Sequence, residues 1–387
     1  MSISTKLGPK SWTQLVGSTS DQVATSVATG SDGSIYMAGW TQSGLDGQAY
    51  KGGASDAFLT KYNPDGTKAW LSILGTNFED KANAITTGAD GSIFVTGYTY
   101  GNLEGQSNPS GRAAFLTKYD ANGTKIWTRL LGVGLEDTAN ALATGKDGMV
   151  YVAGYAPAQT DALGNILPRG VFLTKYSPDG SKVWTRLPGS NLIDDASALT
   201  IGADGAIYLA GTDNYSLTAT YNENGAVVTK YSPDGTNAWT SLESPIGSLY
   251  HGYRVAGALT IGQDGSIYVA GRVNDDLIDN GFNTDAYITK YKPNGSIEWS
   301  IRLASRYQNS FSVSAAGLTT GIDGAIYVAG GTAGSFDERY YAGNRYVNGS
   351  NDAFVTKIKP DGTKEWTVLS GSSYGDNAVA ISTGTDG

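Results

Sequence analysis

The chain has 387 residues, of which 53 are glycine, 40% are hydrophobic and none is cysteine, and its formal net charge is −9. Without cysteine, disulfides, thiolate metal sites and cysteine nucleophiles are excluded, and the single histidine, His251, excludes multi-histidine metal sites. The acidic balance offers no basic stripe for neutralising phosphates, so we expect no nucleic-acid partner. No stretch approaches the roughly 20 apolar residues of a membrane span, so we expect no membrane insertion.

Two phrases recur along the chain and define a long repeat. The first reads as an apolar strand, a tight turn and a second strand that ends in tryptophan, and its first copy is DAFLTKYNPDGTKAW (56–70). The second phrase precedes it and begins at Asp32 with DGSIYMAG. Tryptophans stand in step with the repeat at residues 12, 70, 127, 184, 239, 299 and 366. The period is therefore 55 to 67 residues.

Each period contains four short strand signals, which the second repeat illustrates. ANAITTG (82–88) and SIFVTGY (92–98) are β-rich runs joined by an Asp-Gly turn, and we name them strands a and b. AFLTKY (114–119) and TKIWTRLL (124–131) are joined by an Asn-Gly turn and are strands c and d. No segment has the i, i+3, i+4, i+7 apolar pattern of a long helix, so we expect no helix of more than two turns.

The repeat predicts an all-β fold, a β-propeller of four-stranded antiparallel blades. A four-stranded sheet cannot bury both faces alone, but in a ring every blade covers its neighbour, and each strand d tryptophan is expected to pack against the adjacent blade. One domain over 1–387 is predicted, with repeats beginning near residues 21, 80, 137, 194, 254, 313 and 376.

The two ends of the chain extend this count beyond six blades. A lone strand d surrounds Trp12, and AVAISTG (378–384) reads as a seventh strand a. We therefore expect six complete blades plus parts of a seventh, with strands b and c lying beyond Gly387, as in a truncated seven-bladed propeller. A closed six-bladed ring is the alternative.

The repeat resembles a known family. GYTYGNLEGQSNPSGRAAFLTKYDANGTKIW (97–127) and DGSIYVAG, which begins at Asp264, are similar to the SBBP repeat, the β-propeller repeat of large bacterial surface and secreted proteins. The resemblance covers essentially the whole chain and implies a propeller fold and an extracellular or cell-surface location, although no classical signal peptide is visible. It implies no catalytic set, and the long loops of repeats four to six depart from the family pattern.

One variable position marks a candidate binding rim. The connections after strands b and d are long and differ in every repeat, and both emerge on one face, where binding on a rigid scaffold usually occurs. Directly after the glycine that ends strand b, the repeats place Trp40, Tyr98, Tyr155, Thr212, Arg272 and Gly331. We predict that Trp40, Tyr98, Tyr155 and Arg272 contact a glycan or peptide. The alternative is partly buried loop packing.

Acidic residues also recur just before strand a. They are Glu79, Asp80, Glu136, Asp137, Asp194, Asp195 and Asp376. Three readings stay open: turn-forming or solvated acids, a calcium site, and a paired acid and base of a glycosidase. Asp80, Asp137 and Asp194 are the candidate metal ligands, and no cofactor other than calcium is expected.

These observations favour a non-enzymatic binding, adhesion or scaffold module that is a monomeric domain of a larger bacterial protein. Its expected partners are a glycan, a peptide or a protein. We predict that it is not an enzyme, because the repeats concentrate no catalytic set. The alternative is a quinoprotein-like enzyme with pyrroloquinoline quinone and calcium, since PDGTKAW (64–70) resembles the tryptophan motif of such propellers. A structural spacer is a third reading.

Overall fold

The structure is a computed structural model. It describes residues 12–18, 20–108, 111–131, 136–157, 159–160, 166–167, 170–187, 195–213, 225–243, 253–274, 284–303, 312–333, 351–372 and 375–385. Six four-stranded antiparallel sheets follow one another along the chain, and in each the strands are ordered as in the sequence. The first strands of consecutive blades pack against each other, so they lie innermost. The predicted all-β propeller of four-stranded blades is confirmed, with six complete blades.

The strands of the first three blades match the predicted signals a to d. Blade 1 contains β1 (Gln22–Thr29), β2 (Ile35–Thr41), β3 (Asp56–Tyr62) and β4 (Lys68–Leu74). Blade 2 contains β5 (Asp80–Thr87), β6 (Ile93–Thr99), β7 (Ala113–Tyr119) and β8 (Lys125–Leu130). Blade 3 contains β9 (Thr138–Thr144), β10 (Val150–Ala156), β13 (Gly170–Tyr176) and β14 (Lys182–Arg186), with a small hairpin of β11 (Gln159–Thr160) and β12 (Ile166–Leu167) in its long loop.

The last three blades repeat the same order. Blade 4 contains β15 (Asp195–Ile201), β16 (Ile207–Asp213), β17 (Gly225–Tyr231) and β18 (Asn237–Glu243). Blade 5 contains β19 (Tyr253–Ile261), β20 (Ile267–Asn274), β21 (Asp285–Tyr291) and β22 (Ile297–Leu303). Blade 6 contains β23 (Val313–Thr320), β24 (Ile326–Thr332), β25 (Asp352–Ile358) and β26 (Lys364–Ser370).

Helical structure is minimal. In the described ranges the one helical segment is the 3₁₀ turn Leu103–Gly105, as the strand-rich repeat predicts. That part of the chain accordingly contains no helix long and apolar enough to cross a membrane.

The first strand of every blade contains a β-bulge, and in blades 1 and 2 its extra residue bonds the next blade. In β5 the bulge leaves Asn83 outside the ladder, and its Nδ2 donates to the carbonyl oxygen of Ala139 in the next blade at 2.9 Å. Thr25 holds the same position in β1, and its Oγ1 donates to the carbonyl oxygen of Ala82 at 2.8 Å. These two extra residues thus direct a polar side chain toward the following blade, whereas the extra residues of blades 5 and 6 are Gly257 and Ala316.

The core lies between the blades. Five hydrophobic clusters among the described residues each join one blade to the next. The strand d tryptophan seals the outer part of each contact: Trp70 packs against the cluster of blades 1 and 2, and its Nε1 donates to the carbonyl oxygen of Ala121 at 3.2 Å. The prediction that these tryptophans pack against the adjacent blade is confirmed.

One interface replaces apolar residues with a buried ion pair. Leu303 ends β22 and Val313 begins β23, whereas the equivalent residues between blades 4 and 5 are Glu243 and Arg254. The two side chains form a salt bridge and are only 3% and 6% exposed. Tyr291 Oη donates to Glu243 Oε1 at 2.5 Å, and burial raises the pKa of this tyrosine. Each of the two buried charges is therefore stabilised mainly by the other, and removing one would leave its partner buried and unpaired.

The predicted partial seventh blade is not shown, because residues 12–18 and 375–385 form no strand. Residues 375–385 nevertheless contact the innermost strands of blades 1 and 6. Ser382 Oγ is 2.9 Å from Thr29 Oγ1, and Thr383 Oγ1 donates to the carbonyl oxygen of Thr320 at 3.0 Å. At the outer edge, Trp12 Nε1 donates to the carbonyl oxygen of Pro64 at 3.2 Å.

Candidate functional site

The variable position after strand b has the same register in every blade. Trp40 lies opposite Val23 and Ala57, and Tyr98 lies opposite Lys81 and Ala114. Tyr155, Thr212, Arg272 and Gly331 occupy the corresponding register in blades 3 to 6. The six residues therefore lie at equivalent points of the face that carries the long loops.

Trp40 is joined to blade 2 by a cation. The Nζ of Lys81, near the start of β5, lies 4.6 Å from the ring centroid of Trp40. The same ammonium is 2.6 Å from Glu79 Oε1. This hydrogen bond lowers the pKa of Glu79 although burial opposes the shift. Trp40, Lys81 and Glu79 therefore form one connected group across two blades.

Tyr98 continues this group toward blade 3. Its hydroxyl donates to Glu79 Oε1 at 2.9 Å, and burial, with the neighbouring carboxylate, raises the pKa of the phenol. The guanidinium of Arg112 lies 5.5 Å from the Tyr98 centroid and donates through Nη2 to the carbonyl oxygen of Glu136 at 3.0 Å. We call this set the aromatic–ionic strip. Its members are Trp40, Lys81, Glu79, Tyr98, Arg112 and Glu136.

The other two predicted contact residues lie outside the strip. Tyr155 is half-buried, and Arg272 is exposed with its guanidinium 5.7 Å from the ring centroid of Tyr253. Within the described residues, no hydrogen bond, ion pair or ring contact links either side chain to the strip. Of the four residues predicted from the sequence, the structure connects Trp40 with Tyr98 and leaves the other two separate.

Two members of the strip were missed in the sequence. Lys81 and Arg112 belong to no repeated phrase, and each meets an aromatic ring that is distant in the chain. A usable signal exists for Lys81, because it directly follows Asp80 at the start of strand a, opposite the variable position. Strand pairing predicts Lys81 beside Tyr98 of its own blade, whereas its contact with Trp40 requires the neighbouring blade.

The two candidate metal ligands that the structure describes do not meet at one centre. Asp80 and Asp137 are fully buried at the starts of successive blades, and Asp194 lies outside the described residues. Asp80 Oδ2 accepts the N–H of Thr76 at 2.7 Å and its hydroxyl at 2.9 Å. No group of three or more His, Cys, Asp or Glu side chains able to hold a metal occurs in the described part of the chain. Calcium binding stays a prediction.

A second buried carboxyl lies beside Asp80. Asp56 begins β3, is fully buried, and accepts the N–H of Lys51, while the Asp80 N–H donates to the carbonyl oxygen of Ser55 at 2.8 Å. Burial, together with the nearby Asp80 charge, raises the pKa of Asp56 to about 6. Burial also raises the pKa of Asp80. These acids cap loop backbone, which agrees with the turn-forming reading.

The fold is a β-propeller, and the aromatic–ionic strip lies on its long-loop face. No protein-family model matches the chain, so the SBBP resemblance stays a prediction. The chain is 27% identical over 317 residues to the regulatory protein FlaEY of Caulobacter vibrioides, a match that covers 72% of this chain and 33% of that protein. The chain thus spans about a third of the length of this curated relative.

Solved propellers give the fold-level comparison. Puromycin hydrolase superposes with a TM-score of 0.53 at 14% identity, covering 93% of this chain and 48% of that one. The periplasmic gluconolactonase of Pseudomonas aeruginosa gives a TM-score of 0.49 at 17% identity, covering 92% and 87% of the two chains. The prediction that the chain is not an enzyme is wrong, because puromycin hydrolase shares this fold and a repeated blade motif therefore does not exclude activity.

Proposed function

We propose that this propeller binds an extended peptide or glycan across its long-loop face, with the aromatic–ionic strip as the contact. The observation that supports this proposal is the connected path from Trp40 through Lys81, Glu79 and Tyr98 to Arg112. The path runs across blades 1 and 2 and reaches Glu136 before blade 3. An extended ligand crossing these blades would meet aromatic edges and charged groups in alternation.

The composition of the strip suits recognition. Tryptophan, tyrosine and arginine dominate the energetics of interfaces because they bury large areas and keep a polar end. The side chains of Lys81, Glu79 and Arg112 are only 26%, 29% and 28% exposed, so their positions are held before a ligand arrives. The two cations and two carboxylates balance in charge, which favours a polar neutral or mixed-charge ligand over a polyanion.

A peptide and glycan array tests the proposal. After the array identifies a ligand, Trp40 and Tyr98 are replaced together by alanine, which we expect to weaken binding by at least about tenfold, since each ring contact contributes on the order of 1 kcal/mol. The matched control replaces Asp65 and Asp179 in the short turns of the opposite face, where each accepts backbone N–H groups. Equal weakening by both pairs, or weakening by the turn pair alone, would contradict the proposal.

We also propose that Trp12 and residues 375–385 represent an outer and an inner strand position of a seventh blade. The support is that the bond from Trp12 to Pro64 repeats the bond from Trp70 to Ala121 one blade earlier.

We further propose an extracellular or cell-surface location, which the SBBP resemblance implies. Localising the tagged full-length protein by surface proteolysis of intact cells tests the location.

A further inference from the structure

A cavity of about 420 Å³ opens on the short-turn face between blades 4 and 5, opposite the aromatic–ionic strip. One of its lining residues is Ala203, which precedes the Asp-Gly of the turn between β15 and β16. The residues at the same turn position of the two adjacent blades are Lys146 and Gln263, which also line the cavity. A short side chain between two long polar ones explains the opening.

The innermost strands supply apolar residues to the lining of the cavity. Between blades 1 and 2 a smaller cavity of about 240 Å³ opens at Ala89, and there Thr87 donates through Oγ1 to the carbonyl oxygen of Thr29 at 3.1 Å. At the larger cavity the equivalent residues are Ile201 and Ile261, which donate no such bond and present apolar carbon to the space. The larger cavity therefore has an apolar floor.

Its charged groups leave one cation without a counter-ion. Lys230 Nζ is 3.5 Å from Asp204 Oδ2, so these two lining residues neutralise each other. Lys146 is exposed at the rim and makes no hydrogen bond or ion pair with any other described residue. The lining thus carries a net positive charge in a chain whose overall charge is −9. An apolar floor with a single free ammonium at the rim suits a small carboxylate on an apolar body.

We propose that this cavity is a binding site for a small organic monocarboxylate, with the carboxylate at Lys146 and the apolar body on Ile201 and Ile261. The volume lies within the range of about 300 to 1,000 Å³ typical of small-molecule sites. The site is independent of the strip, which lies on the other face.

Benzoate is the test probe, titrated at low salt by isothermal calorimetry, with benzyl alcohol as its uncharged counterpart. Lys146→Met is expected to weaken benzoate binding about three- to fivefold and to leave benzyl alcohol unaffected, since exposed ion pairs contribute modestly. Ala203→Leu fills the cavity and is expected to weaken both by at least about tenfold. Ala89→Leu, at the equivalent exposed turn of blade 2, is the matched control and leaves both unchanged.

Three outcomes overturn the proposal: no saturable benzoate binding, equal effects of Ala203→Leu and Ala89→Leu, or equal affinities for benzoate and benzyl alcohol. Both alanines are exposed turn residues, so neither substitution threatens folding. The paired Trp40→Ala and Tyr98→Ala substitutions leave benzoate binding unchanged, which separates this site from the strip.

Discussion

The indole of Trp70 in blade 1 lies directly on Gly123 in blade 2, so that a Cβ at this glycine would stand 2.7 Å from the ring. Gly123 also has a φ of +82°, in the region that L side chains rarely adopt. Because it has no Cβ, the turn glycine of one blade thus leaves room for the tryptophan of the preceding blade. Sequence reasoning explained this glycine by turn geometry alone, and the structure adds the close approach of the indole.

Gly123→Ala is expected to destabilise the protein by more than the backbone strain alone. Gly91 provides the matched control, because its φ is +78° and its Cβ would meet nothing closer than 3.9 Å. Both variants incur a left-handed backbone cost of about 1 kcal/mol. We expect Gly123→Ala to cost about 1 to 3 kcal/mol more, from overpacking against Trp70. Urea unfolding measures the difference, and equal losses would show that the indole yields freely.

The Glu243–Arg254 pair predicts strong coupling between two substitutions. Glu243→Leu or Arg254→Val alone leaves a buried charge without its partner and is expected to cost about 3 to 5 kcal/mol. In a Tyr291→Phe background, which removes the hydroxyl that donates to Glu243, the double variant reproduces the Leu303–Val313 pair of the next interface and is expected to recover most of that loss. A double-mutant cycle by chemical denaturation measures the coupling. Additive losses would contradict the prediction.

Asp56 predicts a pH dependence of stability. Its folded pKa of about 6 lies above the unfolded value of about 3.9, so between these pH values the folded state keeps a proton that the unfolded state has lost. The contribution of Asp56 is therefore fully present below about pH 4 and is lost as the pH rises through about 6. Relative to the parent protein, Asp56→Asn should gain up to about 3 kcal/mol between pH 4 and pH 7.

The control for this measurement is Asp65→Asn. Hydrogen bonds from Thr67 lower the pKa of Asp65, so its contribution has the opposite sign and is lost as the pH falls. That loss falls below about pH 4, so between pH 4 and 7 the unfolding free energy of Asp65→Asn should run parallel to that of the parent protein, whereas that of Asp56→Asn should rise relative to it. A pH-independent difference between Asp56→Asn and the parent protein would show that the Asp56 pKa is not raised.

Residues 375–385 are predicted to contribute to the stability of the ring as much as the first strand of a complete blade does. Thr383 Oγ1 bonds the carbonyl oxygen of Thr320 at 3.0 Å, as Thr144 Oγ1 bonds that of Thr87 at 2.8 Å. Thr383→Val and Thr144→Val should each cost about 1 kcal/mol, the usual net value of such a bond. Thermal unfolding compares them. A loss for Thr144→Val with none for Thr383→Val would argue against a seventh blade position.

Much of the fold was predictable because its determinants are local. The run AFLTKY at 114–119 became β7 (Ala113–Tyr119), and ANAITTG at 82–88 falls largely within β5 (Asp80–Thr87), since alternating strand residues and Asp-Gly or Asn-Gly turns act within a few positions. The bond from Asn83 to Ala139 was not predicted, because it joins residues of two different blades.

The site was only partly predictable for a related reason. Register within a repeat brought Trp40 and Tyr98 to equivalent strand ends, yet the contact of Lys81 with Trp40 joins residues from different repeats. The burial of Glu243 and Arg254 likewise required the neighbouring blade. The enzyme prediction failed because repetition describes the scaffold, whereas chemistry depends on individual side chains that repetition does not record.

The tryptophan of each of blades 1 to 5 contacts the turn glycine of the following blade, which gives the ring a direction. A duplicated blade placed between two existing ones would receive a tryptophan from the blade before it and would place its own tryptophan on the turn glycine of the blade after it. Both contacts would be of a kind that the ring already has. The number of blades that duplication can add is then limited by the curvature of the ring of inner strands, and not by the fit between neighbouring blades. Inserting a second copy of residues 71–127 after Trp70 would keep the native junction of Trp70 with Leu71 and would create one new junction, Trp127 with Leu71, at an equivalent point of the repeat.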